Sequence, residues 1–264
     1  MSQNVVFWIG VKSNDPKLSE KHGNFTYLEY SKRTWQYWCK KHNVIFYEYN
    51  TPSNTDTVTH RVTWQRWFDV FDQLDQANIM YDKILLTDGS IMIKWDTPNM
   101  FEMVSDELQA FRALENIKWI DEGISGYSGL FDNQTFDLRK YVSCGFQIFS
   151  KKHRTFLKEL KQFYFKNLDS ILHLQEHVRR GTDQPVYNYL LQQHAVKVEQ
   201  CLPESFYLMH MNRFNWFSYN WQLNDDKTPY FIKYGYIWIY SGFDRRERES
   251  LMSQTWSLIK HNYE

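Results

Sequence analysis

Asp88 stands where an apolar strand ought to continue. In "YDKILLTDGSIMIKWD" the run Ile84–Thr87 stops at Asp88-Gly89-Ser90 and resumes at once as Ile91-Met92-Ile93. Aspartate and glycine favour turns, so a turn is the plain alternative. A carboxylate held at a strand end is the chemical one. A second acidic position, Thr182-Asp183, opens the apolar run "TDQPVYNYLL"; aspartate there is a common helix N-cap. Arg61 and Arg66 are cations on a helical segment just before the Asp88 strand. His210 closes the apolar stretch "SFYLMHM" and is either a core histidine or a ligand. The run "KKHRTFLKELKQFYFK" carries six Lys or Arg against one Glu, with "HVRR" following. It is either the solvated face of an amphipathic helix or a strip for a phosphate-bearing acceptor, DNA included.

What must position these groups is legible as a pattern. "NVVFWIGV" (4–11), "NVIFYEY" (43–49) and 83–87 are apolar runs of strand length, and 25–41 and 58–76 carry helical periodicity between them. This β-α-β-α-β order predicts a parallel sheet with helices on both faces. Ligands of such sheets sit outside the carboxyl ends of the strands, where Gly10, Val11 and Asp88 fall. Beyond it, Asp96-Thr97-Pro98 predicts a helix to about 111. "NIKWI" and "YVSCGFQIF" predict strands, 155–168 a helix with Phe156, Leu157, Leu160, Phe163 and Tyr164 inward, and 183–193 another. "AVKVEQ", "SFYLMHM" and "TPYFIKYGYIWIY" predict further strands, and Asp244 to Glu247 forms a capping box for a last helix. No linker divides the chain, so one mixed α/β domain over 1–264 is expected, its regular β-α-β-α-β half over about 1–98 and its less regular half over about 99–264.

Composition narrows the class. The 264 residues carry 31 Lys+Arg and 31 Asp+Glu, so no global field recruits nucleic acid or an anionic membrane. Three cysteines, Cys39, Cys144 and Cys201, are an odd number at unrelated spacings; this fits a reducing, cytoplasmic setting. No segment has the apolar length of a membrane span and no signal peptide is apparent. The aromatic fraction of 18% places most Trp and Tyr in the core and its rim, with Trp216 and Trp221 as candidates to stack on a sugar or base.

Four pieces together resemble GT-A fold glycosyltransferases of the glycogenin-like retaining type. "YDKILLTDGSIMIKWD" resembles the central strand that ends in Asp-x-Asp. "YVSCGFQIFSKKH" resembles the later segment in which a small residue and a glycine, here Gly145, precede a strand. "GTDQPVYNYLL" resembles the Asp-Gln helix start, and "FYLMHMNRFNW" the strand ending in a metal-binding histidine. They occur in the family's order. The resemblance implies a Rossmann-like, mostly parallel central sheet and transfer of a hexose or pentose from a nucleotide sugar, UDP-linked, to an acceptor hydroxyl with retention. It implies Asp183 and Gln184 at the reacting sugar, and Gly10 and Val11 beside the base. Asp88, Gly89, Ser90 and Gly145 would lie around the nucleotide, with Arg61 and Arg66 near the diphosphate by loose analogy.

Mn²⁺ or Mg²⁺ is the implied cofactor, with Asp88 and His210 as ligands. Here Ser90 replaces the second motif aspartate. A serine hydroxyl carries no charge and is a poor ligand for a hard cation, so metal dependence stays open at this point. Acceptors in view are a glycan, a small molecule, or a hydroxymethylated base in DNA, which would have to be flipped from the duplex. A non-catalytic nucleotide-sugar-binding module is the alternative from another class.

Overall fold

The computed structural model describes residues 3–12, 25–112, 116–200, 223–243 and 245–264. The strands are β1 (Gln3–Ile9), β2 (Ile45–Tyr49), β3 (Tyr81–Asp88), β4 (Ile91–Ile93), β5 (Leu108–Arg112), β6 (Val142–Ser150), β7 (Val198–Gln200) and β8 (Ile237–Ile239). The helices are α1 (Tyr27–His42), α2 (Val62–Gln76), α3 (Ile117–Tyr127), α4 (Arg154–Lys166), α5 (Leu168–His177), α6 (Gln184–Gln193), α7 (Tyr230–Tyr234) and α8 (Arg245–Ile259).

The central sheet has six strands in the order β2-β1-β3-β6-β5-β7. β1 pairs parallel with β2 and β3, β5 pairs parallel with β7, and β6 runs antiparallel between β3 and β5. The order 2-1-3 means that the chain leaves β1 to one side and returns to β3 on the other. The carboxyl ends of β1 and β3 therefore flank a topological switch point, the place where a crevice opens in such sheets. The two faces bury alternate residues of one strand. Val5, Phe7 and Ile9 join α2, α4 and α6 in one core, whereas Val6 and Trp8 join α1, β4 and β8 in the other. Burial on both faces explains why β1 and β3 read as continuous apolar runs.

The strand interruption has a topological cause. β3 ends at Asp88, the chain turns, and β4 leaves to pair antiparallel with β8 in a separate two-stranded sheet. Ser31 Oγ and Trp35 Nε1 of α1 both donate to the Ile91 carbonyl, at 2.6 and 2.9 Å, and fasten that exit.

Several expectations need correction. The helix expected from Pro98 to about 111 is a single 3-10 turn, Met100–Glu102, followed by strand β5; pairing with β6 and β7 fixes Leu108–Arg112 as extended. "NIKWI" is not a strand but the start of α3. Asn116 accepts from the Trp119 amide at 3.0 Å as its N-cap, and Ile120, Gly123, Ile124 and Tyr127 are buried at helical spacing. α2 begins at Val62, not 58, and α5 follows α4 as a separate helix. "TPYFIKYGYIWIY" splits into α7 and β8. "SFYLMHM" and Asp244 of the capping box lie outside the described residues. Among the described residues no helix is long and apolar enough to cross a membrane, and Cys39 and Cys144 are free and buried.

Candidate functional site

α2 delivers the centre of the site. It is unusual in burying polar side chains among its aromatic ones: Gln65, Arg66 and Asp69 are nearly inaccessible. A buried charge is costly unless it is paired and hydrogen-bonded, and the partners of Arg66 are the two aspartates singled out above. One guanidinium nitrogen, Nη1, donates in a very short contact to Asp88 Oδ1 at the end of β3. The other, Nη2, donates to Asp183 Oδ2 at 2.8 Å. Nε donates to the Thr63 carbonyl at 3.0 Å, which fixes the fork.

Asp183 sits at the N-cap position of α6 yet makes no side-chain cap bond. Its carboxylate turns inward, where Oδ2 also accepts from Trp67 Nε1 at 2.7 Å. Thr182 Oγ1 lies 3.2 Å from Asp183 Oδ1 and 3.0 Å from Thr63 Oγ1. The Trp67 ring stacks on Tyr187 of α6 at 4.6 Å. Two adjacent residues of α2 thus hold one buried carboxylate, through a cation and an indole N–H.

Asp88 is the more open of the two acids, with 26% side-chain exposure against 4% for Asp183. Burial pushes its carboxyl above the ordinary carboxylate value, opposed by the Arg66 guanidinium and, more weakly, by Arg248. For Arg66, burial pulls down, but Asp88 and Asp183 outweigh it and hold the guanidinium firmly charged. Cys144, beside the group, is raised far above its usual value by burial and by Asp183, so it stays a neutral thiol.

The remaining predicted residues divide. Gly145 packs directly under Asp88: a Cβ there would lie 3.0 Å from Asp88 Oδ2. Gln184 reaches the same strand, its Oε1 accepting from the Cys144 amide at 3.5 Å. Gly10 and Val11 line a cleft of about 480 Å³ at the carboxyl ends of β1 and β2, with Leu28, Asn50 and Thr51. Gly89 lets two backbones close on each other, since its N–H donates to the Ile9 carbonyl at 3.0 Å and a Cβ would fall 2.6 Å from that oxygen. Ser90 faces away into the smaller sheet, bonded to Ser241 Oγ at 2.9 Å. Arg61 lies at the N-cap of α2 and lines a different cleft, with Arg179 and Thr182. His210, Trp216 and Trp221 lie outside the described residues.

Among the described residues no three His, Cys, Asp or Glu side chains gather as a metal cage. Asp88 Oδ1 is taken by Arg66, and Oδ2 has no hydrogen-bond partner among the described residues. One free carboxylate oxygen fits a cation held mainly by a ligand's phosphates and water, not one held by protein alone.

Sequence reasoning missed the residues that shape this edge. Asp69 accepts from Tyr49 Oη at 2.6 Å and from the Ser53 amide at 2.8 Å. Gln65 Nε2 donates to the Asn54 and His60 carbonyls at 2.9 and 2.6 Å. Both pin the loop after β2 that walls the cleft. The available signal was Gln65, Arg66 and Asp69 lying at i+3, i+4 and i+7 from Val62, on the helix face that carries it. Trp67 and Arg248 were missed too; nothing in their local sequence distinguishes them.

No family model matches the chain, and no curated protein matches it by sequence. Solved structures do resemble it. A glycosyltransferase involved in glycosylation of the major capsid of PBCV-1 superposes with a TM-score of 0.52 at 12% identity, over 95% of this chain and 98% of that one. The glycosyltransferase GlyE of Streptococcus pneumoniae TIGR4 gives 0.46 at 12% identity, over 100% of this chain and 63% of that one. The galactosyltransferase LgtC, solved with donor and acceptor sugar analogs, gives 0.41 at 14% identity, over 96% and 99%. The chain has a GT-A-like glycosyltransferase fold, with the mixed α/β sheet and flanking helices described above.

Proposed function

We propose that the protein is a glycosyltransferase that moves a hexose or pentose from a nucleotide sugar, UDP-linked, to an acceptor hydroxyl with retention. The observation that carries this is the Arg66 guanidinium bridging Asp88 and Asp183 at the switch point, next to the cleft lined by Gly10 and Val11. The fold shared with a capsid glycosyltransferase supports it.

The chemistry follows from charge. Cleaving a sugar–diphosphate bond leaves negative charge on the diphosphate, and preorganised cations stabilise that charge without rearranging. Arg66 is already paired with Asp88 and Asp183, so the developing charge falls to Arg248, whose charge also reaches Asp88, and to a cation bound with the donor. In this scheme the base and ribose occupy the cleft above β1 and β2, and the diphosphate lies over Asp88 and Gly145. Asp183 and Gln184 lie beneath the sugar, Asp183 with its carboxylate turned in on Arg66 and Trp67. Asp183, paired with Arg66, offers negative charge to a sugar ring that becomes cationic as the bond breaks. Mn²⁺ or Mg²⁺, when bound with the donor, would be held by Asp88 and would neutralise the diphosphate further.

A glycan or small-molecule acceptor fits better than DNA. The basic run spends much of its charge locally: Lys152 pairs with Glu107 at 2.7 Å, Arg154 pairs with Asp75, and Lys161 lies over the Phe68 ring.

A thermal-shift panel of nucleotide sugars, with and without Mn²⁺, followed by donor turnover and product anomer assignment by NMR, tests the proposal. A donor at a hundredfold excess over its Kd should stabilise the fold by about 2.7 kcal/mol. Binding without turnover would leave a non-catalytic nucleotide-sugar module. No binding of any nucleotide sugar would overturn the proposal outright.

A further inference from the structure

α1 begins at the candidate site and ends far from it. Leu28 lines the cleft beside Gly10, whereas Lys40 lies twelve residues later, about 18 Å further along the helix axis. Arg33, Tyr37, Lys40 and Lys41 follow one another at helical spacing and so share one face of α1. That face meets the end of α8 and the turn after it, and the two enclose a cleft of about 700 Å³. Its volume is in the range of small-molecule sites.

The lining has a one-sided chemistry. Arg33, Lys40, Lys41 and Lys260 bring four cations, and Glu264 brings the one acidic side chain. Lys41 Nζ is anchored on the Trp95 carbonyl at 2.9 Å. Lys40 and Lys260 are exposed and form no ion pair among the described residues. The aromatic wall is Trp256, stacked by Tyr30 at 6.1 Å, with Arg33 over its ring at 5.8 Å and Tyr263 against it at 5.6 Å. Trp256 is half-buried, and its indole N–H meets no acceptor among the described residues. Tyr263 is held in place by its hydroxyl, which donates to the Ile93 carbonyl at 2.5 Å. The cleft therefore presents mainly donors, positive charge and a flat ring, with Gln36 and Glu264 as acceptors.

We infer that this cleft is a second ligand site, separate from the transfer site, for a phosphate-bearing ring compound. The phosphate accepts from Lys40, Lys260 and Arg33, and the ring packs against the exposed edge of Trp256. A phosphorylated sugar and a nucleotide share this chemistry. A long polyanion fits less well, because four cations make no continuous strip and the molecule has no net positive charge.

Isothermal titration calorimetry on the full chain tests the site with a hexose 6-phosphate, a nucleoside monophosphate, inorganic phosphate and the unphosphorylated hexose. The test compares the native protein with Lys40→Glu/Lys260→Glu and with Trp256→Phe. At least one phosphate-bearing ring should bind the native protein, and the two neutral or ringless controls should bind at least about tenfold more weakly. The double charge reversal should remove that binding with an unchanged Tm, since both lysines are exposed. Trp256→Phe, which keeps a ring but loses the N–H, should weaken it by a smaller factor. A nucleotide that also enters the transfer site is recognised because that part of the heat survives the double variant. The relative affinity of the two phosphate-bearing rings distinguishes the source. No binding by either ring compound, binding equal to that of inorganic phosphate, or binding indifferent to the charge reversal would each overturn the inference.

Discussion

α2 and α4 pack against each other on the same face of the sheet and treat charge in opposite ways. α2 turns Arg66 and Asp69 inward and gives each buried group hydrogen-bonded partners. α4 turns its lysines outward and leaves them to solvent, to rings, or to single surface acids. The same residue types thus carry different weight. A cation buried between two carboxylates cannot lose a partner cheaply, whereas an exposed ion pair contributes roughly 0–1 kcal/mol. The sequence announces α4 loudly, through its charge count, and α2 only faintly, yet it is α2 that builds the site.

The contrast can be broken most forcefully at Arg66. Arg66→Met leaves the buried Asp183 and the half-buried Asp88 without their shared cation, so a loss of about 3–5 kcal/mol in unfolding free energy is expected. Urea denaturation measures it, and a loss under 1 kcal/mol would mean that the pairing is not held in solution. Next comes Asp183→Asn, which keeps a hydrogen-bonding group but removes the charge. Turnover should fall by at least about a hundredfold, on the scale of losing one preorganised electrostatic group. Stability should fall as well, because Arg66 loses half of its neutralisation. If turnover and stability decline only in proportion, Asp183 holds the fold together and takes no part in transfer.

Asp88 gives a smaller, pH-dependent effect. Its folded-state pKa is raised, with burial as the main cause. The folded state therefore binds the proton more tightly than the unfolded chain, and stability falls as pH rises from the ordinary carboxylate value through the raised one. Asp88→Asn should flatten that slope in a series of melts between pH 3 and 8; an unaltered slope would assign it to other groups. The smallest effect belongs to α4. Lys158→Glu with Lys161→Glu should shift stability by no more than about 0.5 kcal/mol per site and leave turnover on an uncharged acceptor intact. A large activity loss there would make the outer face of α4 part of the acceptor site.

Much of the frame was legible in the chain itself. β1, β2 and β3 announce themselves because a strand buried on both faces must be apolar at every position, and α1 and α2 because a helix on a sheet must be apolar on one side. That order implies a parallel sheet and places Asp88 and Gly10 at one edge. The four-piece resemblance added Asp183, Gln184 and Gly145, and the structure brings these into one group with Asp88. What local sequence could not decide is which element each ambiguous stretch becomes. "NIKWI" and Leu108–Arg112 exchanged helix and strand because an N-cap at Asn116 and pairing with β6 and β7 outweigh propensity. Nor could it decide the partners of charge. Arg61 and Arg66 are alike in sequence, but only Arg66 is aimed by α2 at the seam between β3 and α6, where two carboxylates 95 residues apart converge. Asp183 reads as a cap and acts as a buried counter-ion, since Trp67 and Arg66 offer it stronger donors than the end of its own helix. Local chemistry gives each residue its capacities; the packing of distant elements selects which of them is used.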